Sequence, residues 1–364
     1  MRWTWRLGKL GGIAVYMHAT FLLLLGWVAL SHFVAGRGVA GAANGVAFIL
    51  LLFVCVVAHE YGHALTARRY GIQARDITLL PIGGVARLER MPREPMQELW
   101  VALAGPAVNV VIAAAPYAVI QLLGRQTALE DLRVVGGDLL SKLMWVNVTL
   151  VAFNLLPAFP MDGGRVLRAL LAGRMEYARA TRTAANVGQL MAFLFGFLGL
   201  AYNPFLLFIA LFVYMGAEAE AQAVQVQVTL EGRTVRDVMV TRFGTVDAGE
   251  PLSRAVDLLL SGAQQDFPVL EDGEVVGVLG RSELVTGLQT DGPRAPIARA
   301  MRRDATPVEA GAFLEQTFQK LQEGALSAVP VIEQGALVGM VTRENIAEFL
   351  MVQTALTAAQ RQSH

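Results

Sequence analysis

The sequence predicts a polytopic α-helical membrane domain of about six transmembrane helices with a β-hairpin, followed by a C-terminal α/β domain made of an internal repeat. Three observations predict it. Long apolar runs are confined to residues 10–223, whereas 224–364 have the mixed composition of a soluble domain. The 364 residues are 54% hydrophobic and only 16% charged, with a mean hydropathy of +0.48. Finally, residues 229–357 contain two copies of one pattern at a gapless offset of 62. The expected domains are 1–222, then repeat copies at 229–289 and 293–357. Formal net charge is zero, so charge balance gives no case for nucleic-acid binding. The single cysteine, Cys55, excludes an intramolecular disulfide and a multi-cysteine metal cluster.

About 20 apolar residues cross a bilayer as a helix. Such runs lie near 12–34, 44–66, 97–123, 139–160, 186–201 and 203–219. The first begins behind basic residues but lacks a small-residue cleavage site, so it reads as an uncleaved span. The last two are short, and the "YNP" between them reads as a tight helical hairpin. Arg2, Arg6, Lys9, then Arg68, Arg69, Arg75, Arg87, Arg90 and Arg93, then Arg165, Arg168, Arg174, Arg179 and Arg182 flank one side of these spans. Only Arg37, Arg125, Arg133 and Lys142 flank the other. Basic flanks face the cytoplasm, so the N-terminus and the C-terminal domain are expected there.

The stretch "VCVVAHEYGHALTARRYG" (54–71) carries two histidines and a glutamate at the end of an apolar run. Each strongly polar side chain there costs about 2.5–3.5 kcal/mol on insertion scales. Residues four apart share a helix face, so His59 and His63 can chelate one ion while Glu60 faces a water as general base. A catalytic zinc takes three protein ligands, and few histidines remain, so an oxygen donor is expected. Asp162 is the natural one. It ends the fourth span behind Pro157 and Pro160, at a depth matching His59, and Gly163 and Gly164 admit close backbone approach. Chelation offsets the insertion cost, since structural zinc sites contribute about 10–16 kcal/mol in small peptides.

With these residues in place, "AHEYGH", "LLPIGGVARLERMPREP", "LAGPAVNVVIA" and "FNLLPAFPMDGGRVLRALL" resemble, in order, the motifs of the site-2 protease family of intramembrane zinc metalloproteases, peptidase family M50. The resemblance implies one zinc ion per chain on His59, His63 and Asp162, with Glu60 activating water. It implies that Asn154 steadies the oxyanion or the substrate carbonyl. The segment 74–92 has β-branched residues on either side of Pro81, Gly83 and Gly84, and reads as a hairpin beside the active site. On the resemblance, Ile82, Gly83, Gly84 and Val85 hold an unwound substrate by strand addition. In "LAGPAVN" the small residues Ala104, Gly105 and Ala107 read as helix packing.

In the tail, "FPVLEDGEVVGVLGRSEL" (267–284) aligns with "VPVIEQGALVGMVTRENI" (329–346), and the pattern resembles a pair of CBS motifs. Such pairs often bind adenine nucleotides. The family's ribose-binding aspartate falls at Glu283 and Asn345, and the preceding Ser/Thr position at Gly280 and Thr342, so Glu283, Thr342 and Asn345 are the candidate nucleotide ligands. The alternative is a structural disc that dimerises into a homo-oligomer.

The expected function is therefore hydrolysis of a peptide bond within or near the transmembrane segment of a membrane-bound substrate, modulated by the cytoplasmic CBS pair. Substrate classes are membrane-tethered transcription regulators and remnant signal peptides. Two rival readings use the same residues: a CBS-regulated membrane ion transporter and an inactive protease-like scaffold. The position of Glu60 argues against the first.

Overall fold

A computed structural model describes residues 3–81, 83–122, 139–324 and 326–362. Arg2, Ile82, Arg125 and Arg133 lie outside the described residues. The chain divides into two compact units, Met1–Val224 and Gln225–His364.

The first unit opens with a strand pair, β1 (Thr4–Leu10) and β2 (Ile13–His18), before α1 (Thr20–Val34) and α2 (Gly38–Arg69). A hairpin follows, β3 (Ala74–Leu80) and β4 (Gly83–Leu88). Helices complete it: α3 (Pro95–Leu122), α4 (Leu139–Asn154), α5 (Asp162–Ala172), α6 (Tyr177–Ala201) and α7 (Phe205–Leu230). The four strands form one sheet in the order β1-β2-β3-β4, with β2 and β3 parallel and both outer pairs antiparallel. The sheet rests on α2, where Ile13 and Ile77 pack against Ala64, and Leu79 against Phe53 and Phe21. The expected hairpin over 74–92 is present, with β4 at the sheet edge.

The expected helical span at 12–34 is not formed as one element. Residues 13–18 are a strand and only 20–34 are helical. A continuous apolar run satisfies a helix and a buried strand equally. Here Gly11 and Gly12, both at positive φ, turn the chain so that β2 lies between two partner strands. The span expected over 139–160 is likewise shorter: α4 ends at Asn154, just before Pro157 and Pro160. Among the described residues, four helices (α2, α3, α6 and α7) are long and apolar enough to cross a membrane, and α1 and α4 are shorter apolar helices.

The packing of α6 and α7 inverts that of a soluble bundle. Their contacts are made by Ala184, Ala185, Ala192, Ala217 and Val213, while Phe193, Phe197, Leu200, Phe208 and Leu211 are exposed. Lipid tails are as apolar as these large side chains, so small residues gain the close helix contacts. Arg168 is a correction of a different kind. Counted above among the flanking charges, it is fully buried on α5.

The second unit holds two sheets of identical plan. In one, β5 (Val246–Asp247) runs parallel to β6 (Asp266–Glu271), which pairs antiparallel with β7 (Glu274–Gly280). In the other, β8 (Val308–Glu309), β9 (Ala328–Glu333) and β10 (Ala336–Thr342) repeat this. Helices α8 (Leu252–Ser261), α9 (Arg281–Thr290), α10 (Leu314–Glu323) and α11 (Arg343–Gln362) take equivalent places. Both hairpins turn through a residue pair at positive φ, Asp272-Gly273 and Gln334-Gly335, the backbone a two-residue hairpin requires. The copies are interlocked. Val240, which enters copy one, bridges Met340 of copy two, and Arg302, which enters copy two, bridges Val278 of copy one. Each bridge maps onto the other under the repeat offset.

Asp266 is buried at this junction, where Ser327 of the other copy donates a hydrogen bond to it. Burial pushes its carboxyl pKa up, and the neighbouring Glu344 and Glu283 add to that, against the Ser327 hydrogen bond. The folded state thus holds this proton more tightly than the unfolded chain, and the associated stability is lost as pH rises through the folded value. Asp266→Asn is expected to raise the unfolding temperature of the C-terminal unit at neutral pH by roughly 2–4 °C, the worth of about 1 kcal/mol at this size. Differential scanning calorimetry of the full chain across pH should show the gain shrinking toward the ordinary aspartate pKa of about 3.9. An unchanged or lowered transition at neutral pH would contradict it.

Candidate metal centre

His59 and His63, one turn apart on α2, place their Nε2 atoms 3.0 Å from each other, with the rings edge-on at 4.7 Å. Asp162, the first residue of α5, brings Oδ2 to 3.1 Å from His59 Nε2 and 3.2 Å from His63 Nε2. All three side chains are buried. A tetrahedral ion with bonds of about 2.0–2.1 Å needs ligand atoms about 3.3 Å apart, close to this triangle.

The chemistry of the donors fits a cation. His63 Nδ1 lies 2.7 Å from the Val101 carbonyl oxygen on α3, so that nitrogen donates and, in the neutral ring, Nε2 carries a bare lone pair. That lone pair faces the Asp162 carboxylate at 3.2 Å, an arrangement that repels unless positive charge lies between them. Two imidazoles and a carboxylate are also a donor set found at catalytic zinc.

The neighbouring backbone is shaped to allow this. A side chain at Gly105 on α3 would overlap Nε2 of both His63 and His59, so only glycine admits α3 at this distance. Gly62 on α2 does the reciprocal service, since a Cβ there would meet the Ala104 carbonyl oxygen at 2.7 Å. Gly163 and Gly164 lie against the backbone of Leu155, Leu156, Ala158 and Phe159, which seats the first turn of α5 on the loop leaving α4. Arg165 Nη1 stands 4.0 Å from Asp162 Oδ1.

Glu60 lies beside the histidines on α2 but faces the sheet. Its Oε2 accepts a hydrogen bond from the Ala86 amide of β4 at 3.0 Å, and Gly84 packs on its Cγ. Gly83, with φ of +137°, starts the edge strand, and Val85 is exposed. Asn154 closes α4 and is half-buried; among the described residues no hydrogen bond joins it to the histidines, Glu60 or Asp162. His18 is occupied locally, with Nδ1 2.8 Å from Thr20 Oγ1. Cys55, one turn before His59, receives a long contact of 3.6 Å from Asn147 Nδ2.

In the second unit Thr342 and Asn345 satisfy each other. Thr342 Oγ1 donates to Asn345 Oδ1 at 2.7 Å and accepts from the Asn345 amide at 3.1 Å, capping α11. Glu283 belongs to the other copy, where it lines a cavity of about 320 Å³ with Ser282, Thr286, Asp291 and Arg299. Among the described residues no hydrogen bond joins Glu283 to Thr342 or Asn345.

Sequence reasoning missed an ion network behind the metal centre. Arg168 Nε donates to Glu98 Oε1 on α3 at 2.7 Å, and Nη1 donates to Glu220 Oε1 on α7 at 2.6 Å. Arg168 and Glu98 are both fully buried. The available signal was Glu98 itself, a carboxylate at the start of an apolar span, where an ionisable residue calls for a partner.

Comparison with known proteins now adds ancestry. The model of Peptidase family M50 matches residues 47–136 and 137–195, and the CBS domain model matches 235–289 and 297–352. A zinc metalloprotease of Methanocaldococcus jannaschii is 33% identical over 358 residues, which cover 97% of each chain. Stage IV sporulation protein FB of Bacillus subtilis is 26% identical over 149 residues, 41% of this chain and 48% of that one. Among solved structures, a site-2 protease from Methanocaldococcus jannaschii has 39% identity and a TM-score of 0.45, covering 60% of this chain and 95% of that one. An alignment running nearly end to end, and a family model seated on the helices that bear the two histidines and the aspartate, make this chain a member of peptidase family M50, the intramembrane zinc metalloproteases of the site-2 type, in a form carrying a CBS pair.

Proposed function

We propose that His59, His63 and Asp162 hold one zinc ion per chain and that the protein uses it to hydrolyse a peptide bond in or near the transmembrane segment of a membrane-bound protein. The observation that carries this reading is the convergence of three buried lone-pair donors within 3.2 Å of one another beside membrane-length helices. A bound zinc ion supplies Lewis acidity that polarises the carbonyl and makes a neighbouring water more acidic. Glu60 is the general base. Its carboxylate takes a proton from the attacking water and returns it to the amine as the C–N bond breaks.

A transmembrane helix hides its peptide bonds in its own hydrogen bonds, so the substrate must be held unwound. The edge strand β4 is suited to this, with Gly83, Gly84 and Val85 at its start, and Ile82, which precedes them in the sequence, is proposed to join them in holding the substrate. Ala86 N–H is held by Glu60. A substrate strand pairing there displaces Glu60 from that amide and leaves its carboxylate available to water. Asn154 steadies the oxyanion or the substrate carbonyl.

The reading extends to the whole chain as a protease domain over 1–222 and CBS copies over 229–289 and 293–357, with the N-terminus and the CBS pair cytoplasmic. An adenine nucleotide at the pair fits the polar cavity, in which Glu283 accepts ribose hydroxyls; Thr342 and Asn345 are the corresponding positions of the second copy. The substrate classes are membrane-tethered transcription regulators and remnant signal peptides.

The decisive comparison is cleavage of a panel of membrane-spanning substrates by full-length wild type and Glu60→Gln in detergent, with zinc measured on both. Wild type is expected to cleave with about one zinc per chain. Glu60→Gln is expected to keep its zinc and lose at least roughly 100-fold in rate. Zinc absent from both proteins would refute the reading. Gly105→Ala tests the centre from the backbone side. The added methyl group overlaps both imidazoles, and zinc occupancy should fall at least roughly 10-fold while the helical circular dichroism is retained. Full occupancy in that variant would reduce Gly105 to helix packing.

A further inference from the structure

We infer that Arg168 is a positioning residue for the metal centre, clamping the helix that presents Asp162 against the helix that orients His63; this inference rests on the metal reading above. Arg168 lies on α5, six residues after Asp162, and its side chain has no exposed surface. One guanidinium touches four elements. It donates to Glu98 on α3 and to Glu220 on α7, and it stacks 5.0 Å from the Phe159 ring in the loop before α5 and 5.1 Å from the Tyr177 ring on α6.

The face of α3 that receives it is what makes this a matter of positioning. Glu98, Val101 and Gly105 are spaced three and four residues apart, so they lie along one stripe of the helix. Glu98 takes the guanidinium, the Val101 carbonyl fixes the tautomer of His63, and Gly105 abuts both imidazoles. The Arg168–Glu98 bond therefore sets how α5 sits along the same stripe that sets the histidines. Asp162 is six residues away on a helix of 11 residues, less than two turns, and a short rigid helix transmits a displacement at one end to the other. Bonds of this reach matter because ligand atoms must stay within a few tenths of an ångström of their places.

An arginine suits the task where a lysine does not. Its planar fork engages Glu98 through Nε while Nη1 reaches Glu220, and its faces stack on aromatic rings. Desolvating such a charge is costly, and isolated buried ion pairs give poor returns in stability, which leaves geometry as the benefit that accounts for its presence.

The test is zinc affinity of the full-length protein in detergent, read by competition with a chromogenic chelator, beside thermal unfolding of the metal-free protein. Wild type must first bind about one zinc per chain. If it binds none, the metal reading falls and takes this inference with it. Given that binding, Glu98→Gln and Arg168→Gln are expected to weaken zinc roughly 10- to 100-fold. Arg168→Lys should recover the metal-free unfolding temperature but not the affinity, a split that a merely structural role would not produce. Glu218→Gln, which removes the exposed pair with Arg182, should leave affinity unchanged. Zinc affinity in Glu98→Gln within about twofold of wild type overturns the inference. Should Arg168→Gln not fold, the near-isosteric Glu98→Gln decides alone.

Discussion

Bringing His59, His63 and Asp162 within 3.2 Å of one another requires α2, α3 and α5 to approach more closely than ordinary side chains permit. Much of the first unit follows from that requirement. Gly62 and Gly105 remove the atoms that would hold α2 and α3 apart, and Gly163 and Gly164 let α5 begin against the backbone of the preceding loop. Three of the polar groups carried inward are met from another element. His63 Nδ1 finds the Val101 carbonyl, Glu60 finds the Ala86 amide, and Arg168 finds Glu98. In an apolar medium an unmet group of this kind costs several kcal/mol, so these contacts select one arrangement of the helices.

The two units solve the burial problem in opposite ways. The second packs large apolar residues inward: Phe267, Leu252 and Leu284 in one copy, Leu314, Leu321 and Ile346 in the other. Along α6 and α7 the first keeps small residues at the helix contacts and turns phenylalanine and leucine outward. The hydrophobic effect drives the former. With lipid outside, it contributes little between helices, and close contact with internal hydrogen bonds takes over.

That difference also explains which features were legible in the sequence. The histidine pair, Asp162, the hairpin over 74–92 and the repeat were readable because each is a local pattern: a spacing, a turn signal or an offset. The strand at 13–18 was not, because an apolar run in lipid carries no alternation to mark a strand, and only its pairing with β3 decides the matter. Arg168 was misread for a similar reason. A positive charge near the end of a span looks like a flank, and nothing local reveals that Glu98, 70 residues away, receives it. Gly105 read correctly as a packing residue, but what it packs against, the two imidazoles, is a tertiary fact.

The repeat shows how far two copies of one pattern can diverge while the backbone stays the same. At the start of α11, Thr342 caps the helix and pairs with Asn345, so that corner is satisfied from within. At the equivalent start of α9 stands Gly280, and the space its missing side chain leaves is surrounded by oxygens of Glu283, Ser327 and Asp266. One corner is neutral and closed, the other rich in acceptors. A phosphate group is repelled by such a wall, whereas hydroxyl and ammonium donors are attracted to it. Glu283 also lines the neighbouring cavity, whose other charged lining residues are Asp291 and Arg299, the latter a cation for any negative group. A nucleotide entering there is therefore expected to set its ribose hydroxyls toward Glu283 and its phosphates toward Arg299. The reverse orientation would bring like charges together in a partly buried place.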